Sequence, residues 1–130
     1  MTQMHADEEI LNALSRKIIG CGFTVLNTLG AGFLEKVYEN ALVQELREAG
    51  LAVAQQQGVR VMYKGSVVGT YVTDLIVEQA VIVELKAAKA MDPTHYAQCL
   101  NYLKASGLPL GLVLNFGNPR LEIKRVANSQ

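Results

Sequence analysis

The stretch GTYVTDLIVEQAVIVELKAAK, residues 69–89, decides how this chain is read, because it sets ionisable groups into two apolar runs: Asp74 in the first, Glu84 and Lys86 in the second. Successive strand residues face opposite sides, so Glu84 and Lys86 share a face with Ile82 while Val81, Val83 and Leu85 take the other. An unpaired buried charge costs on the order of several kcal/mol, so a central strand that carries two needs partners, water or a metal. The bend between the runs decides whether Asp74 joins them. With a three-residue bend at 78–80, Val77 pairs with Val81 and Asp74 lies opposite Glu84 on one face, about 5 Å apart at Cβ. With a two-residue bend Asp74 faces Leu85 instead, and the grouping is lost unless a bulge restores it. We expect the three-residue bend or a compensating bulge.

Working outward, VRVMYKGSVVGTYV reads as two strands turning at Lys64-Gly65, VTDLIV continues the second, and VIVELKA is a third that its VIV run marks as central. Upstream, Ile10, Leu14, Ile18, Cys21, Val25 and Leu29 recur at helical spacing over 8–29. Within that helix Gly20 and Gly22 permit either close packing or a kink. A second helix is predicted from Phe33 to Ala49 with Leu34, Val37, Tyr38, Ala41 and Leu46 inward, stopped by Gly50. Downstream, Asp92-Pro93 gives an N-cap and a first helical position for a helix to about residue 105, ended by Gly107 and Pro109. LGLVLNF and LEIKRV are two further strands around the turn at 117–119. The order helix, helix, three strands, helix, two strands describes an α/β fold, a mixed sheet with helices against it. A right-handed crossover should set the fourth strand parallel to the third.

The chain has 130 residues, 50% hydrophobic and 18% charged, enough for one domain spanning 1–130 with its own core. Its polar, acidic first ten residues do not resemble a signal peptide, and its longest apolar run is too short to span a bilayer, so cytoplasm is the expected compartment. Two distant cysteines, Cys21 and Cys99, exclude a four-cysteine iron–sulfur cluster within one chain. Net charge is zero, but residues 1–50 hold four basic against seven acidic groups and residues 51–130 eight against five. A surface for a polyanion is therefore expected on the second half, with Lys64, Lys89, Lys104, Lys124 and Arg125 as phosphate contacts. Scattered solvated charges account for the same numbers. Gly30-Ala31-Gly32 follows a helix and lacks the remaining residues of a phosphate loop, so it reads as a helix–helix turn.

Two adjacent carboxylates with no histidine or thiolate nearby suit Mg2+ or Mn2+ rather than zinc. Such an ion lowers the pKa of its water, and a lysine beside it orients that water or offsets charge on phosphorus. The chemistry implied is phosphodiester hydrolysis. A structural Glu-Lys pair at an exposed strand end, with an unrelated aspartate, fits the spacing equally well.

Asp74, nine intervening residues and Glu84-Leu85-Lys86 resemble the D-(x)n-(D/E)-x-K signature of the PD-(D/E)xK nuclease superfamily. The element order after the first helix resembles its restriction-endonuclease-like αβββαβ core, with one extra N-terminal helix. Gln98-Cys99-Leu100-Asn101-Tyr102 is similar to the Q-x-x-x-Y motif of the RecB-like branch. Gly32-Phe33-Leu34-Glu35-Lys36-Val37-Tyr38 resembles the motif that names the small bacterial GxxExxY family, a resemblance that runs from about Ile18 to Val126. The proline of the superfamily label is replaced by Thr73.

The resemblance implies Asp74, Glu84 and Glu35 as metal ligands, the Leu85 carbonyl as a backbone ligand, Lys86 as the catalytic lysine, and Gln98 and Tyr102 as substrate-positioning residues. It implies a nuclease on nucleic acid, DNA first. The alternative is a nuclease-fold protein without useful turnover that binds nucleic acid or another protein. Either reading allows a homodimer, since an open sheet edge has a surface to cover. His95 shares a helix face with Gln98 and Tyr102, and two histidines alone cannot build a zinc site.

Overall fold

The computed structural model describes residues 3–128. Its elements are α1 (Gln3–Leu29), α2 (Glu35–Glu48), β1 (Val53–Tyr63), β2 (Ser66–Val77), β3 (Val81–Lys86), α3 (Pro93–Ser106), β4 (Leu110–Asn115) and β5 (Glu122–Ala127). This is the order expected from the sequence. The strands form one mixed sheet in the order β1-β2-β3-β4-β5, with β3 and β4 parallel and every other pair antiparallel.

Alternation along β3 divides the core into two layers. Val81, Val83 and Leu85 pack with Ile18, Val25, Tyr38 and Leu42 of α1 and α2. Ile82 packs on the other side with Cys99, Tyr102 and Leu103 of α3 and with Val113 and Val126. All four apolar β3 residues are fully buried. Each such side chain contributes about 1.5–3 kcal/mol on burial, which makes β3 a rigid support for whatever its far end carries.

The helical faces differ in detail from the sequence expectation. In α1, Ile10 is 64% exposed, while Leu14, Ile18, Val25 and Leu26 are buried and Cys21 and Leu29 pack against them. There is no break in α1 at its glycines: a side chain at Gly22 would press on Leu121 at 3.2 Å and Leu114 at 3.5 Å, so Gly22 serves close approach to the sheet. In α2 the buried stripe is Tyr38, Glu39, Leu42, Val43 and Leu46. Leu34, 80% exposed, precedes the helix as its N-cap, and Val37 is also exposed. Of the residues expected inward, Tyr38 and Leu46 are therefore fully buried and Ala41 packs against the same core, while Leu34 and Val37 are not part of the buried face. In α3, Cys99, Tyr102 and Leu103 face inward and Tyr96 outward.

The β1–β2 turn at Lys64 (φ 48°) and Gly65 (φ 82°) has the paired positive φ of a two-residue type I′ hairpin. Asp92 caps α3 by accepting from the Thr94 amide at 2.8 Å, while the Asp92 amide donates to Nδ1 of His95 at 3.3 Å, so the role of His95 is a capping box. No helix among the described residues is long and apolar enough to cross a membrane.

Candidate active site

The β2–β3 register is the one that a three-residue bend requires: Val77↔Val81, Ile76↔Ile82, Leu75↔Val83. The next step would pair Asp74 with Glu84, but there the backbone ladder stops and the side chains take over. The Asp74 amide donates to Oε2 of Glu84 at 2.7 Å, and the Leu85 amide donates to Oδ2 of Asp74 at 2.8 Å. Period-two alternation from Ile82 carries Glu84 toward the α3 side, and the two amide-to-carboxylate bonds hold Asp74 against it.

Glu84 is only 5% exposed. Burial first, and then the neighbouring Asp74 carboxylate, push it up to about 8, against the Asp74 amide and Lys86, which favour the ion. Asp74 is raised by burial as well, opposed by the Leu85 amide, Lys86 and a hydrogen bond from Gln56. Glu35, at the start of α2, is raised by burial and then held back by Lys86, while Asp74 and Glu39 raise it further. Lys86 thus lies within the fields of all three acids at the end of β3. Beyond it, the fully buried Asn115 clamps the chain: its carbonyl accepts from the Ala88 amide at 3.0 Å and its amide donates to the Ala88 carbonyl at 2.9 Å.

A family model described as the PD-(D/E)XK nuclease superfamily matches residues 12–126. The chain belongs to that superfamily. Its sheet and flanking helices agree with the superfamily's restriction-endonuclease-like fold. Among solved structures, the crystal structure of SSO0001 superposes with a TM-score of 0.57 at 13% identity, over 73% of this chain, which is a likeness of fold. The chain spans 50% of the length of that structure. No sequence among curated proteins matches it.

PD-(D/E)XK nucleases generally use divalent metals. The donor chemistry at Asp74 and Glu84 fits such an ion: the two carboxylates share a desolvated place in which Asp74 raises Glu84, and the backbone amides take one bond at each while a carboxylate accepts about four. Among the described residues, however, no three of His, Cys, Asp and Glu are grouped so as to hold a metal, so Glu35 stands near the pair electrostatically without completing a triad.

The superfamily motif residues on α3 separate. Tyr102 is 5% exposed, raised by burial and then by Glu84 and Asp74, and its ring meets Tyr71 at 5.4 Å. Gln98 is exposed, with no side-chain hydrogen bond among the described residues. Nor do the expected phosphate contacts share one face. Arg125 binds Asn12 of α1 at 2.8 Å, whereas Lys124 lies over the Tyr96 ring of α3 at 5.5 Å, because adjacent β5 residues point to opposite sides.

Tyr38 gives the 32–38 motif a physical role. Its hydroxyl donates to the Gly30 carbonyl at 2.6 Å and accepts from the Phe33 amide at 3.1 Å, and its ring stacks on Phe116 at 4.9 Å. The turn before α2 is thereby pinned, with Glu35 at its first helical position.

Sequence reasoning missed Gln56 and Glu39. The β1–β2 ladder runs Gln55↔Leu75 and Gln57↔Thr73 and skips the step between, where Gln56 takes a left-handed φ of 55° opposite Asp74. Its amide reaches both Glu39 oxygens, at 3.1 and 3.0 Å. Burial raises the Glu39 carboxyl, but hydrogen bonds from Gln55, Lys36 and Gln56 together bring it below its usual range. The available signal was three consecutive glutamines, 55–57, in a strand.

Proposed function

We propose that the chain is a metal-dependent phosphodiesterase acting on nucleic acid, with Asp74 and Glu84 holding Mg2+ or Mn2+. The observation that carries this reading is the crosswise bonding at the parted ends of β2 and β3, which seats two acids beside Lys86. A bound divalent ion would supply Lewis acidity toward a phosphate oxygen and a more acidic water. Asp74 and Glu84 then serve as its ligands, joined by the Leu85 carbonyl. Lys86, at the end of the rigid strand, orients the attacking water and offsets charge gathered on the phosphoryl oxygens. Glu35 acts through water, consistent with its place outside the pair. Gln98 faces solvent, where substrate arrives, and Tyr102 forms the inner wall. The pinned turn at Tyr38 supports the finer assignment to the GxxExxY family.

A second reading is a nuclease-fold module that binds nucleic acid or protein without turnover, favoured by the absence of a third acid from the pair among the described residues. A cytoplasmic location and a homodimer across an open sheet edge are compatible with both. The deciding experiment incubates single- and double-stranded DNA and RNA with Mg2+ or Mn2+, beside Lys86→Ala and Asp74→Ala. Cleavage lost in both variants supports the phosphodiesterase. Cleavage that persists in both comes from a contaminant, and no cleavage by the parent despite metal binding supports the second reading.

A further inference from the structure

Tyr71 and Ile76 are five positions apart, yet both meet the α3 side: Tyr71 through the Tyr102 ring, Ile76 through the core beneath α3. Strict alternation puts residues an odd number apart on opposite faces, so the phase of β2 changes between them. The interruption opposite Gln56 lies in that interval. As a result, an aromatic side chain that would otherwise point away stands 50% exposed on the α3 side, against the Tyr102 ring.

Tyr71 is also one wall of a recess of about 400 Å³ completed by Val61, Met62, Asn101, Lys104 and Ala105. That volume falls in the range of small-ligand pockets, roughly 300–1,000 Å³. Its chemistry is mixed in a specific way. The ring and the Val61 and Met62 side chains offer an apolar slot. The Asn101 amide and the Lys104 ammonium at its rim have no hydrogen bond or ion pair among the described residues. The recess is one ring from the carboxylates, because Tyr102 touches Tyr71 and lies within the fields of Glu84 and Asp74. Backing by the buried Tyr102 holds the Tyr71 ring in place, so little conformational freedom is lost when a second flat group stacks on it.

We propose that this recess is a subsite for one unpaired nucleobase next to the scissile phosphate, with Tyr71 as the stacking surface, Asn101 toward the base edge and Lys104 toward a flanking phosphate. It deepens the phosphodiesterase reading and rests on it for the class of substrate. The preferred substrate is therefore single-stranded nucleic acid or an unpaired end. Bases in a duplex are stacked on one another and cannot present a free face to Tyr71, whereas stacking on aromatic side chains is the usual way that single strands are held.

The test measures fluorescence anisotropy of the whole protein, in EDTA so that nothing is cleaved, with a labelled oligothymidylate, an abasic strand of equal length and a duplex. Stacking losses on removing an aromatic correspond to roughly tenfold or more in affinity. The parent should prefer oligothymidylate over the abasic strand by about that factor. Tyr71→Ala and Tyr71→Leu should erase the preference and Tyr71→Phe keep it, all three with circular dichroism spectra of the folded chain. Equal binding of both strands by the parent, a preference that survives Tyr71→Leu, or tighter binding of the duplex overturns the subsite. So does sedimentation in which Tyr71→Leu turns a dimer into a monomer, since a second copy then occupies the surface. Catalysis is read separately: base preference without any cleavage in Mg2+ or Mn2+ refutes the phosphodiesterase and upholds the subsite, and cleavage without base preference does the reverse.

Discussion

Asp74 and Glu84 are joined crosswise, the amide of Asp74 donating to the Glu84 carboxylate at 2.7 Å and the amide after Glu84 donating to Asp74 at 2.8 Å. In a continuous sheet those two amides would be spent on carbonyls of the neighbouring strands. Turning them onto side chains parts the strands and fixes the two acids relative to a backbone that the core on both sides of β3 makes stiff. Preorganisation of this kind is what a metal-dependent centre requires of its protein ligands.

The energetic cost of the pair shows in its pH dependence. Glu84 is raised from 4.5 to about 8, so between those values the folded chain binds more protons than the unfolded chain. Stability of the metal-free protein therefore falls as pH rises from about 4.5 to about 8 and levels off above. Glu84→Gln removes that titration. In EDTA its melting temperature should match the parent near pH 4.5 and exceed it by several degrees above pH 8, an effect on the order of a few kcal/mol. Equal melting temperatures at high pH would show that the carboxylate is not desolvated.

Glu39 is buried and accepts from Lys36, Gln55 and Gln56. Glu39→Ala should cost about 1–3 kcal/mol in urea denaturation, because three donors lose their acceptor. It should also weaken metal binding, since Gln56 connects Glu39 with Asp74.

Tyr38→Phe keeps the stack on Phe116 and deletes both hydroxyl hydrogen bonds. The expected loss is about 1–2 kcal/mol. Amide exchange should quicken at residues 30–35, and cleavage should decline with Glu35 displaced. Unchanged exchange there would detach the 32–38 motif from the site.

His95 serves the capping box of α3. His95→Ala should lower the melting temperature by only about 1–3 °C and leave cleavage at the parent rate. A large loss of turnover would place His95 in the chemistry after all.

How much was legible beforehand follows from which interactions are local. Period-two alternation narrows the register to a three-residue bend at Glu78–Ala80 or a compensating bulge without reference to anything distant, and the structure has the three-residue bend, with Leu75↔Val83 as the last pair before Asp74 and Glu84. The caps at Asp92 and Gly107 are equally local, Gly107 closing α3 with a left-handed φ of 75°. The buried face of α2 was read too wide: Tyr38 and Leu46 are buried as expected, but Leu34 lies before the helix as its N-cap and Val37 falls on its exposed side. Gln56 was invisible for a different reason: its left-handed backbone and its bonds to Glu39 and Asp74 depend on the packing of β1 against both α2 and β2. Lys124 and Arg125 were grouped by charge, although the alternation of the predicted strand already sets adjacent residues on opposite faces, as the pleat of β5 does.

Manganese binding, followed by electron paramagnetic resonance of the free ion, tests the pair most directly. The parent should take up Mn2+ saturably in competition with Mg2+, more tightly as pH rises through about 8 and Glu84 ionises, and Asp74→Asn should bind at least tenfold more weakly. A parent that leaves Mn2+ free, or an Asp74→Asn variant that binds it equally well, would contradict a metal centre at Asp74 and Glu84.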